Sequence, residues 1–116
     1  ERTVFHCFSG GTELARACAE HGWYASVAGP VTYSSNDALR AALALIPDEL
    51  LLVETDAPYL PPRAWRGRPN ASYLMGETVR FLAGLRGLGE AEACALLAHT
   101  TREVYGAFDG PGVTRM

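Results

Sequence analysis

Two carboxylates and one histidine are the residues of this chain whose types and spacing best fit chemistry. Glu54 and Asp56 follow an apolar run at positions 50–53, and Pro58 marks where a strand must end. The acids are therefore expected at the carboxyl end of a buried parallel strand, where α/β folds place their ligands. Their spacing puts both side chains on one face, about 6.6 Å apart along the backbone. Because like charges beside an apolar strand need compensation, we expect a bound metal ion, with a proton or hydrogen-bond donors as alternatives.

His6 is expected at the same rim as the two acids. It lies near the end of an apolar segment at positions 3–8, just before a turn that begins at Ser9. Imidazole and carboxylate groups bind divalent cations, and a bound cation lowers the pKa of its water enough to yield hydroxide near neutral pH. Two other interpretations stay open at this point. A lone strand histidine is often a hydrogen-bonded core residue, and Asp56 can instead cap the loop that follows it.

The segment after Asp56, at positions 57–70, is too long to be a mere connection. Arginine alternates there with aromatic side chains, in the set Tyr59, Arg63, Trp65, Arg66, Arg68 and Asn70. Because arginine binds phosphate and aromatic rings stack on bases, this composition predicts contacts with a nucleic-acid strand. The alternative is a solvated, arginine-rich loop with no specific ligand.

Composition points to one acidic domain. The chain has 116 residues and a net charge of -3, which excludes a basic nucleic-acid coat but not a local basic patch. The three cysteines, Cys7, Cys18 and Cys94, lack metal-site or paired spacing and are expected to be reduced thiols. No segment resembles a signal peptide or the roughly 18 apolar residues of a membrane span. We therefore expect a cytoplasmic protein with no membrane partner.

Apolar segments alternate with helical patterns, which predicts βα units and a parallel sheet. Strands are expected at positions 3–8, 23–27 and 50–53. The first helix is expected to begin at Thr12 and end at Gly22, and the second to stop at Pro47. Three such units leave two strand edges unpaired, so further strands must come from elsewhere. Self-association of this chain through its exposed edges is the corresponding expectation.

Further helices are expected in the carboxyl-terminal part. One should end at Gly87, and its buried face should consist of Leu74, Thr78, Phe81 and Leu85. Thr100 or Thr101 is expected to cap a separate last helix. Residues 109–116, rich in glycine and proline, are expected to form a flexible tail after a domain at 1–108.

Four motifs make the chain resemble the carboxyl-terminal part of the TatD family of metal-dependent deoxyribonucleases. They are His-Cys-Phe-Ser-Gly at 6–10, Val-Glu-Thr-Asp-Ala-Pro-Tyr-Leu at 53–60, Arg66-Gly67 with Asn70, and Thr100-Thr101 leading to Phe108. Their order and spacing agree with the family pattern over nearly the whole chain. The resemblance implies that residues 1–108 form the last three βα units of a TIM-type (β/α)₈ barrel, which is incomplete in this chain.

The resemblance also implies a reaction and a site. Asp56 would bind metal and help to activate the attacking water, His6 would be a second metal ligand, and Glu54 would orient the ligands from one layer deeper. The implied reaction is phosphodiester hydrolysis in DNA, often by a 3′-to-5′ exonuclease, with one or two divalent ions. Mg²⁺ is expected, and Mn²⁺ or Zn²⁺ are alternatives. The substrate and its phosphates would be contacted by Tyr59, Arg66, Arg68 and Asn70.

The chain departs from the family pattern around this site. Pro-Asn-Ala-Ser at 69–72 stands where Arg-Asn-Glu-Pro is usual, although Arg68 can replace the lost arginine. Glu103 stands for a frequent asparagine, and Gly11 for a small hydroxyl residue. These changes bear on substrate positioning more than on metal binding.

Most metal ligands of the family have no counterpart in these residues. The first-strand His-x-His pair and the middle-strand Glu and His are absent from the sequence. We therefore expect either a fragment of a longer enzyme or a truncated product that is inactive unless a second chain completes it. A third alternative is a hydrolase of the amidohydrolase superfamily that acts on a small amide or ester.

Overall fold

Three parallel strands alternate with α-helices in the computed structural model, which describes residues 2–106. The strands are Val4–Phe5 (β1), Tyr24–Val27 (β2) and Leu51–Val53 (β3), and the helices are Thr12–His21 (α1), Asp37–Leu43 (α2), Met75–Arg86 (α3) and Glu90–Tyr105 (α4). The strand order is β1-β2-β3, and both neighbouring pairs are parallel. The predicted α/β class is confirmed, and the carboxyl ends of all three strands meet at one edge.

The larger core lies between the helices and one face of the sheet, and the end of α4 borders the opposite face. Ala25, Val27 and Leu51 are buried on the face that borders the larger core, because alternate strand residues share a side. The helical residues buried in the same core are Ala15, Cys18, Leu82, Ala83, Ala93 and Leu97. Ser26 and Leu52 occupy the intervening positions and point to the opposite face. Within residues 2–106, no helix is both long and apolar enough to cross a membrane.

Glycine ends α1 and α3 as predicted. Gly22 follows α1 with φ 69°, and Gly87 follows α3 with φ 67°, so both lie in the left-handed region that glycine adopts without strain. The Gly22 N–H donates to the Cys18 carbonyl and satisfies one of the last acceptors of α1.

The first strand and the second helix are shorter than predicted. β1 covers Val4–Phe5 rather than residues 3–8, because Cys7 turns the chain with φ 45°. Helix α2 ends at Leu43, and a turn replaces the helix before Pro47. Ala42 and Leu43 of α2, and Ile46 in the turn that follows, are buried in the core.

The predicted break before the last helix is wrong. Helix α4 continues from Glu90 to Tyr105 without interruption. The Thr100 and Thr101 hydroxyls donate to the carbonyls of Leu96 and Leu97, four residues earlier. Both hydroxyls are therefore satisfied inside one helix and cap no new one.

The buried face of α3 also differs from the prediction. Thr78, Val79, Leu82 and Ala83 are buried on α3, whereas Leu85 is 45% exposed. Leu74 and Thr78 are buried as predicted, and Phe81 is half-buried against the core, so it is Leu85 that departs from the prediction. The predicted tail at 109–116 lies outside the described residues.

Candidate metal centre

His6, Glu54 and Asp56 converge at the carboxyl ends of β1 and β3. One ligand atom from each of the three lies within 4.8 Å of the other two. His6 Nδ1 lies 2.5 Å from Glu54 Oε2, and His6 Nε2 lies 3.1 Å from Asp56 Oδ1. The imidazole is 74% exposed, whereas the two carboxylates are mostly buried, with 14% and 18% exposure. The structure thus brings together the three residues that the sequence places on one rim.

Backbone hydrogen bonds continue past the ends of the strands and fix this rim. The Glu54 N–H donates to the Val27 carbonyl at 2.9 Å, and the Phe8 N–H donates to the Ser26 carbonyl at 2.8 Å. Each bond ties a rim segment to β2, which lies between the other two strands. The side chains therefore sit on a rigid sheet edge.

Cys7 connects the two sides of the site. Its N–H donates to Glu54 Oε1 at 2.6 Å, which is possible because the chain turns at Cys7 with positive φ. A non-glycine residue in this region carries strain that the surroundings must offset. The bond to Glu54 supplies part of that compensation, and it holds His6 beside the carboxylates.

Two carboxylate oxygens of the site have no hydrogen-bond donor in the described structure. They are Glu54 Oε2 and Asp56 Oδ2, and both atoms are buried. The contact between Glu54 Oε2 and His6 Nδ1 is close but lacks hydrogen-bond geometry. Buried carboxylate oxygens without donors are costly, and a cation is the partner that compensates them. The residues present thus fit a divalent metal ion.

The thiol of Cys7 stays neutral beside these acids. Burial, contact with the Asp56 carboxylate and the negative charges of Asp56 and Glu54 raise the pKa of Cys7 to about 12. A neutral thiol is a poor nucleophile. The backbone N–H of Cys7 joins this residue to Glu54, a role that its side-chain type did not reveal.

Asn70 closes the loop that follows Asp56. It is buried, and its amide nitrogen donates to the carbonyls of Tyr59 and Leu60 at 2.9 and 3.5 Å. Its backbone N–H donates to the Pro58 carbonyl, and its side-chain oxygen accepts from Ala71 N–H. Both amide hydrogens are used inside the protein, so Asn70 has no free donor for the phosphate contact predicted for it.

The other predicted phosphate-binding residues face solvent on this loop. Tyr59 is 73% exposed. The guanidinium carbon of Arg66 lies 4.3 Å from the centre of the Tyr33 ring, and that of Arg68 lies 5.8 Å from the centre of the Trp65 ring. No carboxylate of the described residues lies within ion-pair distance of either guanidinium. Tyr33 was not a sequence candidate, since nothing in its local pattern indicates that the chain brings it against Arg66.

A groove of about 460 Å³ begins at Cys7, whose N–H is hydrogen-bonded to Glu54 of the site. Its wall contains Cys7, Ser9 and Gly10 from the turn after β1, and Pro30 and Leu60 from the facing segments. A second space of about 380 Å³ lies between Arg63 and α3, with Thr32 and Phe81 in its wall. Both spaces border the long loop at the strand-end rim.

The family model for TatD-related DNases matches residues 1–106 of this chain. The chain belongs to the TatD-related DNase family. A metal-dependent hydrolase named TatD from Mycobacterium tuberculosis is 41% identical over 106 residues, which are 91% of this chain and 40% of that protein. A TatD 3′-5′ ssDNA/RNA exonuclease from Pantoea ananatis is 37% identical over 108 residues, or 89% of this chain and 42% of its own length.

Solved TatD structures share the fold. The Escherichia coli TatD homologue YjjV matches with a TM-score of 0.82 and 30% identity over 90% of this chain and 40% of that one. A TatD-family hydrolase of Entamoeba histolytica matches with a TM-score of 0.78 and 18% identity over 91% of this chain and 43% of that one, which shows the fold alone. The chain spans about 40% of the length of the curated relatives that it matches.

Proposed function

We propose that this chain is the carboxyl-terminal part of a divalent-metal-dependent hydrolase that cleaves phosphodiester bonds in DNA. Residues 1–108 supply the last three βα units of a TIM-type (β/α)₈ barrel. The observation that carries the proposal is the convergence of His6, Glu54 and Asp56 at the strand ends, where two buried carboxylate oxygens lack donors. Family membership supports it independently.

His6 and Asp56 are the proposed metal ligands. Their facing atoms, Nε2 and Oδ1, are 3.1 Å apart. The imidazole nitrogen and the carboxylate oxygen therefore lie side by side on the rim, where together they would hold a divalent ion. Mg²⁺ is the proposed metal, with Mn²⁺ or Zn²⁺ as alternatives, and the full enzyme holds one or two ions.

Glu54 supports the ligands. Its Oε1 accepts from the Cys7 N–H, while its Oε2 lies against the imidazole nitrogen that faces away from Asp56. The negative charge of a carboxylate in that position orients the ring. Glu54 thus presents His6 Nε2 to the side on which Asp56 lies.

Asp56 has a second role in the proposed reaction. When bound, the metal stabilises negative charge on the phosphate and lowers the pKa of water. Asp56 Oδ2 has no donor in the described structure, so one oxygen of this carboxylate would face the ion while the other would accept the proton of the attacking water.

The loop after β3 supports a nucleic-acid substrate. Arg66 and Arg68 present guanidinium groups without a carboxylate partner among residues 2–106, and Tyr59 is an exposed ring. Arginines bind the phosphate backbone and an exposed aromatic ring stacks on a base. A relative is named a 3′-5′ ssDNA/RNA exonuclease, which favours attack from the 3′ end.

Two ligands are fewer than a catalytic metal site requires. Catalytic zinc sites use three protein ligands, and magnesium sites add carboxylates or substrate phosphates. We therefore propose that further ligands come from outside these 116 residues. The isolated chain is then inactive, and its unpaired strand edges favour self-association.

The test compares substrates on the full-length protein that contains this chain. A 5′-labelled single-stranded DNA should shorten stepwise from its 3′ end with Mg²⁺ or Mn²⁺ and stay intact with a chelator. Asp56→Asn should slow this cleavage about 10²-fold or more, whereas Asp37→Asn, at an exposed carboxylate of α2, should not. Turnover of a small ester or amide without DNA cleavage would favour the amidohydrolase alternative and refute the proposal.

A further inference from the structure

Tyr33 is a fixed aromatic platform beside the candidate site. Its backbone N–H donates to the Pro30 carbonyl at 3.1 Å, and its carbonyl accepts from Arg40 at 2.6 Å. Its hydroxyl donates to the Pro61 carbonyl at 2.7 Å, across 28 residues of sequence. The ring is therefore fixed at its backbone and at its far end, and the second attachment is to the loop that carries Arg66.

Arg66 lies on this platform. Its guanidinium carbon is 4.3 Å from the centre of the Tyr33 ring, well inside the range of a cation–π contact. Stacking uses the face of a guanidinium and leaves the N–H groups at its edge free. No hydrogen bond or ion pair of the Arg66 side chain occurs among the described residues. Arg66 is thus held without using the donors that bind phosphate.

The two other exposed arginines of the loop are held differently. Arg68 stacks on Trp65, which is three residues away in the same loop, at the longer distance of 5.8 Å. Arg63 is fixed only through its backbone N–H, which donates to the Thr32 hydroxyl. Only Arg66, among the three, rests on a ring from another segment of the fold.

We propose that Tyr33 is a positioning residue that holds Arg66 as a phosphate-binding group for the substrate strand. The inference rests on the proposed nucleic-acid substrate and names the residue that preorganises one of its contacts. Tyr33 follows the 3₁₀ turn Gly29–Thr32, which comes shortly after β2. Pro30 of that turn and Cys7 line the same groove. Preorganisation of Arg66 there lowers the entropy lost when phosphate binds.

A double-mutant cycle tests the inference on the full-length protein. Binding of a fluorescein-labelled, single-stranded oligonucleotide is measured by anisotropy in chelator, over a range of salt concentrations. Arg66→Ala should weaken binding about tenfold and lower the salt slope by about 0.7, the value for one phosphate contact on a single strand. Tyr33→Leu should weaken it about threefold, as expected for loss of an exposed cation–π contact. Tyr33→Phe keeps the ring and should restore most of the affinity.

Measuring the effect of Tyr33→Leu in two arginine variants distinguishes positioning of Arg66 from a merely structural role. If Tyr33 acts through Arg66, adding Tyr33→Leu to the Arg66→Ala variant should weaken oligonucleotide binding almost no further. Adding it to the Arg68→Ala variant, the matched control, should weaken binding as much as in the wild type. An equal loss in both backgrounds, no loss from Tyr33→Leu alone, or no oligonucleotide binding by the wild type would overturn the inference. A wild type that binds with this coupling but does not cleave supports the inference and refutes the proposed hydrolysis.

Discussion

Replacing Gly29 with alanine should destabilise the protein because a methyl group has no space there. A Cβ built on Gly29 lies 2.4 Å from the Leu60 carbonyl oxygen and 3.0 Å from the Pro61 carbonyl carbon. Both neighbours are backbone atoms, so no side-chain rotation relieves the clash. The segment after β2 and the long loop would have to separate by about 1 Å to reach ordinary contact.

The cost follows from the buried position of Gly29. Overpacking of this kind destabilises proteins by about 1–3 kcal/mol, and a gain of about 0.5 kcal/mol from the less flexible unfolded chain offsets part of it. We expect Gly29→Ala to lower the free energy of unfolding by about 2 kcal/mol. Because the same contact places the loop of Arg66, hydrogen exchange in residues 57–70 should accelerate more than in α4.

Urea unfolding of the full-length protein, followed by circular dichroism, measures this effect. Gly84→Ala is the matched control, since a Cβ at Gly84 meets nothing within 4 Å in the interior of α3. That substitution should stabilise the protein by about 0.5–1 kcal/mol. A Gly29→Ala variant as stable as the wild type, with unchanged exchange in the loop, would refute the close packing of these segments.

Four other outcomes are expected. Asn70→Ala should cost about 2 kcal/mol in urea unfolding and expose the loop to proteolysis, because two carbonyls and one N–H lose their partner; an unchanged cleavage pattern would contradict this. Arg86→Ala should cost about 2–3 kcal/mol, and Arg86→Lys somewhat less, since the guanidinium donates to the carbonyls of Leu43 and Ile46; equal stability of all three proteins would contradict it. Among the thiols, exposed Cys94 should react first with a disulfide reagent, and reaction of Cys18 before unfolding would be the opposite result. Burial raises the pKa of Cys18 in the folded protein. The neutral thiol therefore favours the folded state at pH values below the ordinary thiol pKa, and this contribution to stability is lost as pH rises above about 9.

The rim of the site was predictable because strand periodicity and strand ends are local signals. The apolar run before Glu54 and the proline at 58 locate the end of β3, and parallel pairing then brings His6 to the same edge. The carboxyl-terminal glycines of α1 and α3 are local signals as well. Each of these features needs only a few neighbouring residues to be recognised.

The features that sequence reasoning missed depend on distant partners. Thr100 and Thr101 resemble capping residues locally, but tertiary packing keeps α4 continuous and their hydroxyls bond within it. From its local sequence Asn70 resembles an exposed loop amide, yet it is buried and its side chain donates to carbonyls ten and eleven residues away. The contact of Tyr33 with Arg66 joins segments 33 residues apart in sequence, and no local pattern encodes it.

Manganese binding to the full-length protein tests the proposed metal centre most directly. Titration of Mn²⁺ followed by electron paramagnetic resonance gives affinity and stoichiometry without requiring turnover. If His6 and Asp56 are ligands, His6→Ala and Asp56→Asn should each weaken binding about 100-fold or more, and Glu54→Gln about 10- to 100-fold, while Asp37→Asn binds like the wild type. Wild-type affinity and stoichiometry in Asp56→Asn would contradict the assignment of this rim as the metal site.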